Sequence, residues 1–423
     1  MTKIAALVEF CPPRLGSDRR VYEMLTRLPR DHEVHFIVFP PSRALLGMIP
    51  LPVEHQDKRE VSLQENVKAC YIPLPFFLHS IWKNYFLGYF LTVFCIWPKA
   101  LQEIRSINPE VIMLNYPSAY TGLVGFSIGK ILSRRVVADF NDMIAEYTIS
   151  LLDNGIKCSG KKVNISKDMV SKILTMIQDY IVSRADAVTA VTTQIIEYCR
   201  QRRIRQDVCL IPDGVDASMF DPTKDSGDTA RRIRSKYGIK EHEKIVVYTG
   251  RLEEWAGVNI VLSCAERLKD SGIRFLLIGE GSQRAKTHQA NVIFSGRIPY
   301  EQVPSYLAAA DLVLVPMEQN TIGNSASPLK LFEAMAMNKA IIASNTRGIR
   351  EVMTNNVEGV LLPQDEKVWA VAIRQILEDS DKASALGKRA RDRIRAEFDW
   401  KVLVNRLAKI LSTSPGEGAK SLD

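Results

Sequence analysis

Unbroken apolar runs, many of them β-branched, alternate along this chain with longer stretches whose apolar positions recur every three to four residues. In the first half the runs are KIAALV, EVHFIVF, VKACYI, EVIML, RVVADF, DAVTAV and DVCLIP. In the second they are KIVVYTG, IRFLLIG, NVIFSG, DLVLVP, AIIAS and GVLLP. Runs apolar on both faces are the mark of parallel strands covered on both sides. Between several of them lie RRVYEMLTRL, GVNIVLSCAERLKD and SPLKLFEAMAM, which carry helical periodicity. The alternation occurs twice and predicts two doubly wound, Rossmann-like α/β domains. Gly, Asp and Pro cluster in CLIPDGVDASMFDP, just before a charged stretch. The expected domains are therefore 1–215 and 216–395. A helix at about 396–411 is expected to pack back on the first, followed by a frayed tail, 412–423. Ligands of such sheets bind beyond the carboxyl ends of the strands, so a cleft between the domains is the expected site. The stretch 153–168, DNGIKCSGKKVNISKD, reads as a polar mobile loop.

Composition narrows the class. The chain has 423 residues, 46% hydrophobic and 25% charged, too long for one ordinary core. Its seven cysteines are scattered and never form a CxxC pair, which predicts free thiols in a reducing compartment. The N-terminus lacks the pattern of a signal peptide and reads as a first strand, which predicts a cytoplasmic protein. A net charge of +8 suits anionic membranes, nucleotides or nucleic acid, but Lys and Arg are dispersed and no nucleic-acid module appears. The histidines fall in no metal-ligand spacing, so no metal is expected. The aromatic stretch 75–98 contains an uncharged run, Tyr85 to Trp97, shorter than the ~20 residues needed to span a bilayer. It reads as a buried helix with Asn84, Gly88 and Thr92 as its polar stripe. The competing reading places its aromatics and Lys83 against a membrane surface or a lipid-linked substrate.

Candidate chemistry gathers at strand ends in the second half. In NSASPLKLFEAMAM, Ser327 is a suitable N-cap and Pro328 suits the first helical position. The turn formed by Ser327, Pro328, Leu329 and Lys330 then presents free N–H groups and a positive dipole end to an anion. Lys330 is electrostatically unwelcome there unless something negative binds nearby. Gly323, Asn324, Ser325 and Ala326 are small enough to admit a phosphate, and Glu333 is placed to accept from a ribose diol. An ordinary capped helix with a solvated glutamate is the competing reading. Arg251 follows the strand ending in Thr249-Gly250, where a guanidinium fork suits a diphosphate. Gly279 and Gly281 bracket Glu280 after another strand and suggest close backbone approach to a flat ligand. Gly296 and Arg297 follow a third.

The order YTGRL, LLIGEG, FSGRIPYEQVPSYLAAADLVLVP, SPLKLFEAMAMNKAIIASNTRGIREVM and GVLLP resembles the C-terminal domain of retaining, group 1 glycosyltransferases with the GT-B fold. PPRLGSDRRVYEMLTRL resembles their glycine-containing loop after the first strand, and RADAVTAVTTQIIEY with IPDGVD resembles the end of their first domain. The resemblance implies transfer of a sugar from a nucleotide-sugar donor to a glycan or lipid-linked acceptor, without an obligatory metal. It implies Arg251 at the diphosphate and Glu333 at the ribose, with Gly250 beside them. Gly296-Arg297 would flank the base, and Gly16 would approach the phosphate or donor sugar. On the acceptor side it implies Asp142, with Asp139 and Asp18 as further candidates; helix capping is the competing role for the first two. Arg19 and Arg20 read as surface or acceptor-phosphate groups. Two positions depart from the family pattern. Ser325 stands where a glutamate often precedes Glu333 by eight residues, and Ala256 stands where a lysine often follows the GRL arginine. Lys330 is expected to supply the missing cation.

A dinucleotide-dependent oxidoreductase would require GxGxxG after the first strand, where VEFCPPRLG stands instead. The rival readings kept are a catalytically silent homologue that binds nucleotide sugar or glycan as an assembly factor, and a sugar-nucleotide epimerase of the same fold. Peripheral association with the inner face of a membrane is a further expectation, from the aromatics, the Lys-rich 157–167 stretch and the net charge.

Overall fold

The computed structural model describes residues 1–11, 13, 16–40, 60–73, 85–143, 145–146, 157–158, 161–162, 167–205, 207–224, 227–286 and 288–412. The chain divides into two compact units, Met1–Ile211 together with the chain from Val404, and Pro212–Leu403.

The first unit is built on strands β1 (Thr2–Val8), β2 (His32–Val38), β3 (Glu60–Gln64), β4 (Val67–Tyr71), β5 (Val111–Leu114) and β6 (Arg135–Phe140). A two-residue-per-strand hairpin, β7 (Lys157–Cys158) with β8 (Lys161–Lys162), stands apart from the sheet. Strands β9 (Ala187–Ala190) and β10 (Val208–Leu210) complete it. The order is β10-β9-β6-β5-β1-β2-β4-β3. Every pairing is parallel except β3 on β4. Strand β1 lies between β2 and β5, so the strand order reverses there. One face is covered by the helices Tyr85–Ile107, Thr121–Ile131 and Lys167–Arg184. They bury Ile96, Ala100, Ile104, Val124, Ile128, Ile181 and Val182 against Ala5, Leu7 and Ile112 of the sheet.

The second unit carries β11 (Lys244–Thr249), β12 (Ile273–Ile278), β13 (Val292–Gly296), β14 (Leu312–Val315), β15 (Ile341–Ser344) and β16 (Val360–Leu362). All are parallel, in the order β13-β12-β11-β14-β15-β16. Here β11 is the point of reversal, with β12 on one side and β14 on the other. Two apolar clusters cover the sheet, one around Phe332, Met335 and Ile349 and one around Val261, Trp369 and Ile373.

Every apolar run forms a strand. What the pattern missed is instructive. β3 is a short edge strand whose alternating Val61 and Leu63 face no core, Val61 being exposed, and it is held by antiparallel pairing to β4. The β7–β8 hairpin falls inside the stretch expected to be loop. The terminal helix is Trp400–Ser412 rather than one starting near 396. Residues Ile394–Phe398 form a π-turn, and the extended Asp399 makes a parallel bridge with Val215. The aromatic stretch 75–98 is described only from Tyr85 on, as part of a helix. Its proposed polar stripe lies outside the described side chains, and so does the tail.

Candidate functional site

Polar groups gather at the point of strand reversal in each unit. In the second unit the site starts from three glycines at successive strand ends. Gly250, Gly279 and Gly296 follow or close β11, β12 and β13 with φ of 132°, 140° and 74°. An L side chain rarely adopts such angles. The reason differs between them. A Cβ on Gly279 would lie 1.9 Å from the Gly250 carbonyl oxygen, and one on Gly281 would lie 2.3 Å from that of Leu252. Adjacent strand-end loops therefore pack backbone to backbone, tied by Gly250 N–H to Ile278 O (2.9 Å) and Leu252 N–H to Glu280 O (2.9 Å). The neighbouring loop fills the Cβ direction at Gly279 and Gly281, which by itself accounts for glycine at both positions. A Cβ on Gly250 would meet only ordinary contacts, the Tyr248 hydroxyl at 3.5 Å and the Lys330 side chain at 3.8 Å, so its backbone angle alone calls for glycine.

The helix Leu329–Ala336 packs against β14. Leu331, Phe332 and Ala334 to Ala336 are buried, so it is held by packing on most of its circumference. Asn338, at φ 58°, supplies the left-handed stop. Its start differs from the expected one. Pro328 occupies the cap position, no side chain caps the helix, and the buried Ser327 hydroxyl has no hydrogen-bond partner. The preceding small-residue stretch is a short helix, Thr321–Ser325, rather than an open loop. The Asn320 side chain caps it by accepting from Gly323 N–H (2.9 Å). Gly323 packs against the Glu318 carbonyl, and Ser325 is fully buried with its hydroxyl donated to Ile322 O (3.0 Å). Steric closeness within the protein explains those small residues.

Lys330 reaches back to the strand ends. Its Nζ donates to the Pro316 carbonyl just beyond β14 (3.2 Å) and lies 4.5 Å from the centre of the Tyr248 ring in β11. The ammonium thus spans the reversal between β11 and β14, where ligands of doubly wound sheets bind. Burial lowers its pKa to about 7 against the opposing pull of Glu333. Tyr248 is held in turn by donating to the Arg251 carbonyl (2.6 Å). The Arg251 guanidinium is half exposed, 3.6 Å from Glu253. Glu333 is buried, which removes the solvated-glutamate alternative. Arg297 is exposed at its strand end. Glu318, beyond β14, is a further acid the sequence reading missed; burial and then Glu254 raise its pKa. The buried hydroxyls of Thr249 and Thr346, at the ends of β11 and β15, also lack partners.

In the first unit the reversal between β1 and β5 holds an acidic network. Asp18, in the first turn of the helix Gly16–Leu25, is fully buried. Its Oδ1 accepts from Asn115 Nδ2 (2.9 Å) and Glu9 N–H (3.4 Å), and its Oδ2 has no partner. Burial, reinforced by the Glu9 carboxylate, raises its pKa well above the usual carboxylate range. Asn141 Nδ2 joins the Asn115 side chain (3.0 Å) to Asp139 (3.1 Å). Asp139 is fully buried and takes Arg20 in a two-point pair, at 2.9 and 3.1 Å, and the Thr189 hydroxyl at 2.6 Å. Arg20 also donates to Ile211 O (2.6 Å). The expectation of a surface or phosphate-facing Arg20 is corrected: helical phase points it inward, onto an aspartate 119 positions away. Asp139 is occupied by these partners and holds the strand ends together. Asp142, two residues past β6, is partly exposed. Gly16 opens its helix beside a loop that lies partly outside the described residues.

Comparison with known proteins adds independent findings. Residues 229–393 match the family model described as glycosyl transferases group 1, and residues 16–219 match that of glycosyltransferase family 4. The chain is 28% identical over 233 residues to a D-inositol 3-phosphate glycosyltransferase of Corynebacterium urealyticum, covering 50% of this chain and 53% of that protein. It is 28% identical over 223 residues to a glycogen synthase of Mycobacterium tuberculosis, covering 50% of each. The chain thus spans about half the length of the curated relatives it matches. Among solved structures, sucrose-phosphate synthase from Thermosynechococcus elongatus superposes with a TM-score of 0.71 at 20% identity, covering 97% of this chain and 98% of that one. HepE of Anabaena, solved with UDP-glucose, also gives 0.71, at 19% identity, covering 97% of this chain and all (100%) of that one. At such identities the structural likeness shows the fold alone.

Proposed function

Because this chain belongs to the group 1 glycosyltransferases and has their GT-B fold, we propose that it is a retaining enzyme. It moves a sugar from a nucleoside-diphosphate donor to a glycan or lipid-linked acceptor. The observation that carries this reading is Lys330, a partly buried ammonium placed over the β11/β14 reversal with a carbonyl and an aromatic face as its neighbours. A cation pushed toward neutrality by burial gains most from an incoming anion. The diphosphate leaves as an anion, so Lys330 and the half-exposed Arg251 stabilise negative charge that grows as the glycosidic bond breaks. The start of the Leu329–Ala336 helix, with the unpartnered Ser327 hydroxyl just before it, adds donors to the same group. Glu333 accepts from the ribose hydroxyls. The acceptor hydroxyl attacks from the face the leaving group vacates, which retains configuration without a protein nucleophile. Asp142 binds the incoming acceptor, while Asp18 and Asp139 set the geometry of the strand ends behind it. No metal is required in this scheme, because the two cationic side chains and the helix start neutralise the diphosphate.

The ligands and products of similar proteins support the donor class. HepE was solved with UDP and with UDP-glucose, and a trehalose-phosphate synthase of Burkholderia xenovorans is described as UDP-forming. The test is product analysis by NMR after incubation with a panel of nucleotide sugars and candidate acceptors. A glycoside whose anomeric configuration matches the donor supports the proposal; an inverted product contradicts it. A specific observation favours a second reading. Ser325, where the family often carries a carboxylate, is buried with its hydroxyl bonded to Ile322. A silent homologue would bind the donor and release no sugar with any acceptor, whereas an epimerase would alter the donor without one.

A further inference from the structure

One helix of the first unit carries an apolar stripe on its outward face. In Lys167–Arg184 the side chains of Met169, Ile173, Met176 and Tyr180 are 56%, 38%, 64% and 52% exposed. Their spacing of four, three and four residues places them on one line along the helix. The opposite side is not short of apolar groups: Val170, Ile181 and Val182 are buried in the core. The outward stripe is therefore surplus to folding. The neighbouring helices expose apolar side chains as well. The helix Thr121–Ile131 packs beside it, with Phe126 edge-on to Tyr180 at 5.6 Å, and exposes Ile131 at 60%. The next helix in the layer, Tyr85–Ile107, exposes Phe94 at 74%.

Charge decides what covers this face. Exposed Lys172 and Arg184 flank the stripe on either side. Neither carboxylate of the helix lies on it. Asp179 is taken by the Tyr198 hydroxyl (2.6 Å) and Arg202 (2.6 Å), and Asp168 sits roughly 100° around the helix from Met169. A second copy of the chain would meet this face with like charge. No helix among the described residues is long and apolar enough to cross a membrane. We propose that the Lys167–Arg184 face lies on a bilayer rich in anionic lipid headgroups. Its Met, Ile and Tyr side chains enter the headgroup boundary, and the flanking cations meet lipid phosphates. This surface does not depend on the donor chemistry proposed above.

Vesicle flotation of the full chain tests it, with phosphatidylcholine alone and with about 30% phosphatidylglycerol added. Wild type is expected to float with the anionic vesicles, and to be released by about 0.5 M salt. Ile173→Asp/Met176→Asp and Lys172→Glu/Arg184→Glu are each expected to lower partitioning at least about tenfold. The milder Met169→Gln/Met176→Gln, at exposed sites that do not hold the fold, lowers it in the same direction. Failure of wild type to float, equal flotation with neutral vesicles, or flotation indifferent to the apolar substitutions overturns the proposal. So does a dimer in sedimentation velocity that Ile173→Asp/Met176→Asp dissolves, since the stripe would then be a self-association face.

Discussion

Lys330 is the residue whose titration reports the site. Burial holds its pKa near 7 in the free protein, and a bound diphosphate raises it. Between those two values binding takes up a proton. Affinity for a nucleotide sugar is therefore flat below about pH 7 and falls above it, by at most about tenfold per pH unit. Titration calorimetry across pH 6–9 checks this, and Lys330→Gln is expected to flatten the profile. The same shift acts on stability with a definite sign. A lysine depressed in the native state binds fewer protons than in the unfolded chain, so its cost is full below about 7 and is relieved as pH rises from there. Asp18 works in the opposite sense. Its native pKa is raised, so the stability it provides is complete below the unfolded value and is lost as pH climbs toward the native one. Asp18→Asn should accordingly gain on wild type in thermal melts as pH goes from 5 to 8. A wild type that keeps or widens its lead at pH 8 contradicts a raised pKa for this buried carboxyl. Arg20 bears on stability alone. Arg20→Met leaves Asp139 buried without its cation and is expected to cost about 3–5 kcal/mol in denaturant unfolding.

Elements were legible where burial wrote them into the sequence. Apolar runs covered on both faces marked every parallel strand, since burial there favours apolar residues on both sides. β3 escaped because an exposed edge strand owes its form to a partner: Val61 and Leu63 alternate with polar residues, but over only five residues and without a core to cover them. The helix Leu329–Ala336 was readable from its apolar run, but its start was not. Ser327 has the chemistry of a cap, yet tertiary packing leaves its hydroxyl unbonded and puts Pro328 at the cap position. Likewise Gly279 and Gly281 were visible as a pair, while the object they approach, a neighbouring loop, comes only from strand order. Gly279→Ala should therefore act on folding. With φ at 140° and a carbonyl oxygen 1.9 Å from the new Cβ, a loss of at least about 2 kcal/mol is expected. Unchanged thermal stability would mean that the β11 and β12 loops are not locked together as described.

At the scale of the whole molecule, the chain builds the same topological opportunity twice and fills it differently. The reversal at β1/β5 holds buried carboxylates and amides, with Arg20 locked on Asp139. The reversal at β11/β14 holds a displaced cation, Lys330, with Arg251 half exposed nearby. That contrast was only partly legible from sequence. Arg251, Lys330 and Glu333 stand out by type and spacing, but the Tyr248 ring and Pro316 carbonyl that steer Lys330 are ordinary core residues until folded. Arg20 and Asp139 are far apart in sequence, and nothing local announces the pairing. Calorimetric titration of a nucleotide-sugar panel into wild type, Lys330→Ala and Arg251→Ala tests the central claim most directly. One donor is expected to bind wild type, and each substitution to weaken it at least about tenfold, for loss of one charge-assisted contact. Tight binding of a nucleotide sugar that survives both substitutions would contradict it.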